Sequence, residues 1–280
     1  MCRCGGKVVL IGGIQIKVVV NLFKNIAIVG SGNLAEALAA AIARLDDVRL
    51  TIAARNEPRG REVAAKCRAR WVSPSAPLCD IELCIIAVSD SAIAQVATAL
   101  DLPDEAVVVH TSGATPFDVL PSRFAGRGAF YPFQTFTASR EVDFSKIPIF
   151  TEGSDPETAA ALDAFARRLS SRTAHADART RRQIHLAGVF ACNFANRMFG
   201  IGGDIVREAG FDFDILRPLI AETAAKVLAA GSPAEVQTGP AVRGDEESQR
   251  RHLELLADNR QLADIYKLIS ISIWETSKKT

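Results

Sequence analysis

The sequence predicts an α/β protein, with a doubly wound parallel sheet followed by an all-helical C-terminal domain. From Asn25 to Ala176 short apolar runs alternate with helical patterns, and this alternation is typical of a parallel sheet covered by helices on both faces. After about Ala178 the strand patterns largely stop and long helical periodicities follow. A chain of 280 residues has room for about two domains, so we place the boundary near residue 177.

Residues 1–23 precede this alternation and are predicted to be an appendage. Met1 to Lys7 carries positive charge and Val8 to Val20 is mostly apolar, a superficial likeness to a signal peptide. However, Gln15 and Lys17 interrupt the apolar run, and no small-residue cleavage site follows. Two interpretations stay open: a segment added by an upstream start codon, or an extra strand.

The predicted strands of residues 24–177 are short and apolar. Ile26-Ala27-Ile28-Val29 is a continuous apolar run, the pattern of a parallel strand that is buried on both faces. Further strands are predicted at residues 48–53, 82–88, 106–110, 128–132, 147–150 and 172–176. The segments between them have helical periodicity and predict helices at residues 36–45, 62–70, 91–100 and 156–169.

Residues 178–280 are predicted to be helical throughout. Arg179–Ala209 is one long periodic segment, and further helices are predicted at residues 213–230, 245–256 and 259–276. Gly200, Gly202 and Gly203 weaken the long helix, because each glycine costs about 1 kcal/mol relative to alanine. We expect these glycines to allow close packing of another helix or of a second subunit.

A glycine-rich turn after the first strand of the alternation predicts dinucleotide binding. Gly30-x-Gly32-x-x-Ala35 follows a strand and opens a helix, which is the context that gives this pattern its meaning. The first glycine permits a tight turn, the second lets the backbone approach a pyrophosphate, and Ala35 allows close helix–strand packing. The helix N-terminus then offers free N–H groups to the phosphates. The predicted contacts of this Rossmann turn are Gly30, Ser31, Gly32, Asn33, Leu34 and Ala35.

The end of the second strand favours NADP over NAD. An acidic residue there would hold the ribose 2′-hydroxyl of NAD, whereas this chain has Arg55, with Arg59 nearby. A guanidinium pairs well with a 2′-phosphate. The alternative is that Arg55 is a solvated loop residue, and nearby Glu57 keeps that alternative open.

Further cofactor contacts are predicted where later strands end, at Val88, Ser89, His110 and Ser112. Two alternatives stay open: Ser89 as a helix cap and His110 in a structural role.

The long helix carries the candidate catalytic residues. At about 100° per residue His185 and Asn196 lie on one face, with Cys192 between them and Asn193 at its edge. A histidine and two amides facing a cleft would suit proton transfer and the binding of a substrate carbonyl. A helix–helix interface whose polar groups satisfy one another is the alternative. In a later loop Arg243 is a candidate for binding a carboxylate or for an ordinary salt bridge.

Composition excludes several other classes of protein. Lysine and arginine number 33 against 32 acidic residues, so no global basic excess points to nucleic acid. No apolar run approaches the ~20 residues that a membrane helix needs. The six cysteines form no CxxC pair, and Cys2 and Cys4 have no histidine nearby, so we expect no metal site. Free thiols favour a reducing cytosol, and we expect a cytoplasmic protein.

Several motifs together carry a family resemblance. They are the turn Gly30–Ala35, Ala87–Asp90, His110–Gly113, Tyr131–Phe136, His185–Phe194 and Gln237–Asp245. With them the chain resembles, over about residues 24–278, the bacterial Rossmann-like family often labelled as candidate NADP oxidoreductases, whose C-terminal helical domain has no assigned function.

The wider relatives of that family are similar to pyrroline-5-carboxylate reductase, to hydroxyacid dehydrogenases of the 6-phosphogluconate type and to deazaflavin-dependent NADP reductases. The resemblance implies a Rossmann domain, a helical domain that often forms the dimer, NADP, and a small substrate bound between the domains. The hydroxyacid enzymes use a lysine on the long helix as proton donor, and this chain has no lysine from Arg179 to Ala209. That departure puts their chemistry in doubt here, unless His185 takes the role.

These observations lead to one main hypothesis and two alternatives. The main hypothesis is an NADP-dependent oxidoreductase, expected to be a homodimer, that acts on a small carbonyl or imine, with His185 as proton donor and Asn193 and Asn196 orienting the substrate. The first alternative is a non-catalytic NADP-binding sensor or interaction protein. The second is a deazaflavin-dependent NADP reductase, which the extensive helical domain makes less favoured.

Overall fold

The structure is a computed structural model that describes residues 7–11, 14–18, 23–138 and 140–278. An N-terminal antiparallel hairpin of β1 (Lys7–Ile11) and β2 (Ile14–Val18) forms a sheet of its own. The remaining strands form one eight-stranded sheet: β3 (Asn25–Val29), β4 (Arg49–Ala53), β5 (Arg70–Val72), β6 (Leu83–Ile86), β7 (Val107–His110), β8 (Gly126–Pro132), β9 (Ile149–Gly153) and β10 (Thr173–His175). Their order across the sheet is β10-β9-β8-β7-β6-β3-β4-β5.

The central strands are buried on both faces, as their continuous apolar runs predict. In β3, Ile26 and Ile28 pack into the core on one face of the sheet, while Ala27 and Val29 pack into the core on the other. Cys84 in the neighbouring strand β6 is also completely buried, and burial raises the pKa of its thiol to about 12. This two-sided burial is the reason that the alternation of strands and helices predicts the fold class correctly.

Two features of the sheet differ from the prediction of an all-parallel sheet. Strands β8 and β9 pair antiparallel, with Gly128 opposite Gly153. A loop and a short 3₁₀ turn join these strands in place of a crossover helix, and an antiparallel neighbour needs no crossover. The short edge strand β5 was not expected at all, because its first residue falls in a segment predicted to be helical.

Five helices accompany this sheet in chain order. They are α1 (Asn33–Ile42), α2 (Glu57–Lys66), α3 (Ile93–Ala99), α4 (Pro156–Leu169) and α5 (Ala178–Gly188). Helix α2 begins five residues earlier than residue 62, where the prediction placed its start. Asn56 caps it by accepting a hydrogen bond from the Arg59 amide, and Pro58 is tolerated in the first turn, where its missing N–H group would have no partner.

The predicted long helix contains an unexpected π-helical turn. After α5 come the π turn Val189–Phe194 and then α6 (Ala195–Glu208) without an intervening loop. The later helices are α7 (Arg217–Ala229), α8 (Pro240–Arg243), α9 (Glu246–Leu255) and α10 (Arg260–Ser277). None of the described helices is long and apolar enough to cross a membrane.

Contacts divide the chain into two units, with the division between Phe194 and Ala195. The domain boundary predicted from sequence lies at residue 177, where α5 begins, and it stays a prediction. Of residues 1–23, predicted as an appendage, the structure describes the two strands of the hairpin and Phe23, which is buried in the core of the first of these units against Phe165. Cys2 and Cys4 lie outside the described residues.

A buried ion pair connects helix α5 to the eight-stranded sheet. We call the unit that contains both, up to Phe194, the sheet unit, and the unit from Ala195 the helical unit. The side chain of Arg181 is completely buried and pairs with Glu152 on β9. Its guanidinium also donates to the carbonyl oxygens of Ala176 and Thr115, each at 2.9 Å. One side chain thus connects α5 to the segments that follow β7 and β10, which accounts for the grouping of α5 with the sheet.

Candidate functional site

The glycine turn predicted to bind phosphate is shaped by its first glycine. Gly30 follows β3 with a φ of +133°, a conformation that side chains with a Cβ rarely adopt. A Cβ at this position would lie 2.2 Å from the carbonyl oxygen of Ala87. The turn therefore requires glycine here for reasons internal to the protein.

The second glycine of the turn has a different environment. Gly32 is the N-cap of α1 and has an ordinary φ of −74°. No described protein atom lies within 4 Å of where its Cβ would be, so a side chain there would project into open space. No side chain caps α1, so the amide groups of its first turn stay available to an anion. The turn fits the pyrophosphate of a dinucleotide.

A cleft of about 810 Å³ opens at this turn, at the carboxyl ends of β3, β4 and β6. Its lining includes most of the predicted cofactor contacts: Gly30, Ser31, Gly32, Asn33, Leu34, Ala35, Arg55, Val88 and Ser89. Asn56 and Gln95, which the sequence interpretation did not single out, also line it. We call this space the cofactor cleft.

Arg55, which lines this cleft, and Arg59, four residues later, differ in their ion pairs. Arg59 pairs with Glu36 and Glu62, at 2.6 Å in the second pair, so its charge is already neutralised. A hydrogen bond from Lys66, together with the positive charges of Arg59 and Lys66, holds the pKa of Glu36 below its ordinary value. Arg55 takes part in no ion pair among the described residues, and it lines the cleft. Glu57 is engaged with Arg61 at 2.8 Å.

The predicted contacts His110 and Ser112 have side chains that do not line the cofactor cleft. His110 is fully buried, and its Nδ1 accepts a hydrogen bond from the Ser112 amide at 3.2 Å. Burial, reinforced by the charge of Arg181, lowers the pKa of His110 to about 4. The Ser112 hydroxyl accepts hydrogen bonds from the Ala114 and Thr115 amides. These contacts give both side chains a structural role in the loop after β7.

A second, smaller space of about 320 Å³ lies where β8 ends beside α5 and the π turn. We call it the Tyr131 pocket. Its lining residues are Tyr131, Phe133, Gln134, Thr135, His185, Gly188, Val189, Ala191, Cys192 and Asn193. It therefore contains two of the three predicted catalytic residues, His185 and Asn193. Asn196, the third, lies in α6 within the helical unit.

Tyr131 and His185 form a hydrogen-bonded pair in this pocket. Tyr131 Oη lies 3.1 Å from His185 Nδ1, and the two rings meet edge to face. Burial, together with the negative charge of Asp90, raises the pKa of Tyr131 above its ordinary value. The phenol therefore keeps its proton and can donate it to the imidazole. Tyr131 was missed as a site residue, because its partner is 54 positions away in the sequence.

Two glycines allow the close packing around this pair. A Cβ on Gly113 would lie 2.7 Å from Tyr131 Cζ and 3.0 Å from His185 Cβ. A Cβ on Gly188 would lie 2.7 Å from the Phe133 ring. Glycine at both positions thus lets the loop after β7 and helix α5 approach the aromatic side chains of β8 and the residues that follow it.

The π turn changes which residues share a face of the long helix. The 100° rule assumes regular α-helix and predicts that His185, Val189, Cys192 and Asn196 point the same way. In a π turn each bond spans five residues, which widens the turn and shifts the residues that follow. Asn193, predicted at the edge of that face, lines the pocket together with Cys192.

Metal ligation has no structural support among the described residues, since no group of three or more His, Cys, Asp or Glu side chains is placed to hold an ion. The four described cysteines, Cys67, Cys79, Cys84 and Cys192, are free thiols.

Comparison with family models assigns the two parts of the chain separately. Residues 25–113 match the family described as NADP oxidoreductase, coenzyme F420-dependent. Residues 147–273 match a domain of unknown function, DUF2520. A search of curated protein sequences finds no match.

Solved structures resemble nearly the whole chain. A candidate NADP oxidoreductase from Bacteroides fragilis has a TM-score of 0.82 and 39% identity, with 90% of this chain and 98% of that chain covered. Pyrroline-5-carboxylate reductase from Streptococcus pyogenes has a TM-score of 0.62 at 14% identity, with 93% and 100% covered. A reductive aminase from Aspergillus terreus, in complex with NADPH and ethyl levulinate, has a TM-score of 0.57 at 16% identity, with 84% and 78% covered.

The last two likenesses show the fold alone, whereas the first extends to sequence. Fold, cleft and sequence agree: this chain belongs to the Rossmann-like NADP oxidoreductase family in which a domain of the coenzyme F420-dependent type is joined to a C-terminal DUF2520 domain.

Proposed function

We propose that this protein is an NADP-dependent oxidoreductase that transfers a hydride to or from a small carbonyl or imine substrate. The observation that carries the proposal is the cofactor cleft, which combines a glycine at positive φ, a glycine with open space beside it and a helix N-terminus that no side chain caps. The family of the chain supports the reaction class. The neighbours that reduce imines, among them an imine reductase from Streptomyces aurantiacus, support the choice of substrate.

Arg55 supports NADP as the cofactor. It lines the cleft where β4 ends, and among the described residues no carboxylate pairs with it. A free guanidinium at that place suits the 2′-phosphate, and no acidic side chain of the cleft lining is available for a ribose 2′-hydroxyl.

His185 is the proposed proton donor, and Asn193 and Asn196 are proposed to orient the substrate. When bound, the nicotinamide supplies or accepts the hydride. Tyr131 engages Nδ1 of His185, which leaves Nε2 for the substrate. As Nε2 gives its proton to the substrate oxygen or nitrogen, the phenol proton of Tyr131 moves to Nδ1, so the imidazole stays neutral and the phenol becomes a phenolate. A histidine whose ring is fixed by a neighbour is the usual arrangement for general acid catalysis.

The proposal is tested with NADPH that carries deuterium at C4 of its nicotinamide, offered with a panel of small ketones, aldehydes and cyclic imines. We expect deuterium in the reduced product with the wild-type protein. His185→Gln should depress turnover by roughly a hundredfold, the lower range for loss of a general acid, while NADPH affinity stays unchanged. Equal turnover by His185→Gln would remove His185 from the mechanism.

A non-catalytic NADP-binding sensor is the alternative that the same experiment addresses. The absence of a lysine from Arg179 to Ala209 favours it. It predicts tight binding of NADPH with no deuterium transfer to any compound of the panel. Any measurable transfer excludes it.

A deazaflavin-dependent NADP reductase is the second candidate, because the family model over residues 25–113 is described as coenzyme F420-dependent. Reduction of NADP by a reduced deazaflavin, at a rate above that with the ketones and imines, would favour this function. The same protein preparation serves both reactions.

The helical unit is proposed to form a homodimer. Among residues 195–278 only Gly203 and Ala241 are buried, while Leu219, Leu228 and Leu268 are largely exposed. So many exposed large apolar side chains indicate a surface that a partner covers. We also propose a cytoplasmic location, which the free thiols of the described cysteines support.

A further inference from the structure

We propose that the Tyr131 pocket accepts an uncharged, compact ketone or cyclic imine and discriminates against substrates that carry a carboxylate. The inference rests on the proposed function and names the substrate class for that reaction. It is carried by the charges, the hydrogen-bonding groups and the aromatic rings in and around the pocket.

The lining of the pocket holds no fixed charge. None of its ten described residues is aspartate, glutamate, lysine or arginine. An ionised carboxylate bound there would find no side chain of fixed opposite charge among these residues, whereas a neutral carbonyl or imine needs none.

Asp90, whose charge acts on Tyr131, also disfavours an anion. Asp90 is close enough for its negative charge to raise the pKa of Tyr131, and it would repel a carboxylate bound beside the phenol. Arg181 is the cation of α5 that faces inward, but its charge is neutralised by Glu152 and its side chain is fully buried. It is therefore not available as a partner for a substrate.

The free hydrogen-bonding groups of the pocket are suited to a neutral acceptor. Gln134 Oε1 accepts from the Thr135 amide at 2.9 Å, which leaves the side-chain NH₂ of Gln134 to donate. Tyr131 occupies Nδ1 of His185, which leaves Nε2. These two donors would suit the single oxygen or nitrogen of a carbonyl or imine.

The body of the substrate is expected to be apolar. Tyr131 and Phe133 have ring centroids 6.0 Å apart, and Phe150 lies 6.2–6.5 Å from both rings, so the wall at β8 is aromatic. At about 320 Å³ the pocket lies at the small end of the range for ligand sites. A five- or six-membered ring fits that description.

The test compares cyclohexanone with 4-oxocyclohexane-1-carboxylate, which differ by one carboxylate. Binding of each to the NADP-loaded protein is measured by saturation-transfer NMR, which requires no turnover. We expect cyclohexanone to bind at least tenfold more tightly to the wild-type protein. Gln134→Arg, which places a cation in the pocket, should reverse the preference, whereas Gln261→Arg, which adds the same charge on α10, should leave it unchanged.

Three results would overturn the inference: equal or tighter binding of the carboxylate to the wild-type protein, binding of neither ketone, or no response to Gln134→Arg. None of them touches the proposed use of NADP, which is measured separately by titration with the cofactor. A protein that binds no NADPH would instead contradict the proposed function itself.

Discussion

The hydrogen bond between Tyr131 Oη and His185 Nδ1 determines which imidazole nitrogen remains for the substrate. Because burial and Asp90 raise the pKa of Tyr131, the phenol keeps its proton and is able to donate it to Nδ1, and we propose that it does, which places the imidazole proton on Nε2. The sequence predicts a role for His185 from its place on the helix. It does not predict Tyr131, because only the folded sheet brings β8 beside α5.

Tyr131→Phe should therefore change the protonation of His185 without unfolding the protein. We expect the wild-type imidazole to be the Nε2–H tautomer, and the variant to populate both tautomers. The ¹⁵N shifts of the histidine rings report this directly, and with four histidines in the chain His185→Gln assigns the signal. Tyr266→Phe, which removes the comparable hydrogen bond to His252, is the control that should leave His185 unchanged. Identical His185 shifts in wild type and Tyr131→Phe would contradict the assignment.

His110 gives the second prediction at this scale, a loss of stability in mild acid. Its pKa is about 4 in the folded protein against 6.5 for an exposed histidine, so between these values the unfolded chain binds a proton that the folded protein does not. Stability from this residue is complete above about pH 6.5 and falls as the pH drops towards 4. From pH 7 to pH 5 the loss is about 2 kcal/mol.

Urea denaturation at the two pH values measures this loss, and His110→Gln supplies the reference for all other titrating groups. The pH-dependent loss should be smaller in the variant by about the stated amount. An equal pH dependence in both proteins would show that His110 titrates normally in the folded state.

At the scale of elements, the predictable parts are those with strong local patterns. Helix α4 begins and ends at the predicted residues, and most strands of the sheet match the prediction within a few residues. The π turn, the antiparallel pairing of β8 with β9 and the edge strand β5 have weak local signals, because tertiary contacts determine them. The glycine turn that borders the cofactor cleft is predictable because one short motif contains it. Of the Tyr131 pocket, the sequence indicates only His185, Cys192 and Asn193, on its helical side.

The two glycines of the phosphate turn should respond differently to alanine. Gly30→Ala places a Cβ against the Ala87 carbonyl in a strained conformation, so we expect loss of several kcal/mol of folding free energy. Gly32→Ala meets no protein atom, so stability should change by less than about 1 kcal/mol. Its NADPH affinity should nevertheless fall at least tenfold, because the methyl group occupies the space of the pyrophosphate.

Thermal unfolding and NADPH titration of the two variants separate these effects. A Gly32→Ala protein that binds NADPH as the wild type does would show that the turn is not a phosphate site. A Gly30→Ala protein of wild-type stability would contradict the structural reason given for that glycine.

For the whole molecule, the contrast between the two units is the main feature. The sheet unit buries two apolar layers, whereas the helical unit buries almost none of its described side chains. The helices were predictable from periodicity, but periodicity does not reveal what covers an apolar face.

We expect a homodimer of 30.0 kDa chains in solution, held by the helical unit. Leu228, at 86% exposure, and Leu268, at 68%, are the residues to change. Leu228→Glu together with Leu268→Glu should shift the mass measured by light scattering from dimer towards monomer, or lower the yield of folded protein. Asp258→Lys is a control for a change of surface charge. A monodisperse, stable wild-type monomer would contradict the proposed dimer.

The most direct test of the whole account is fluorescence titration with NADPH and NADH of the wild-type protein, Arg55→Ala and Arg59→Ala. We expect the wild type to prefer NADPH. Arg55→Ala should lose at least tenfold in NADPH affinity, since a charge-assisted hydrogen bond contributes about 1.5–3 kcal/mol, while its NADH affinity stays constant. Arg59→Ala should keep the preference, because Glu36 and Glu62 already hold Arg59. Binding of neither cofactor to the wild-type protein would contradict the account.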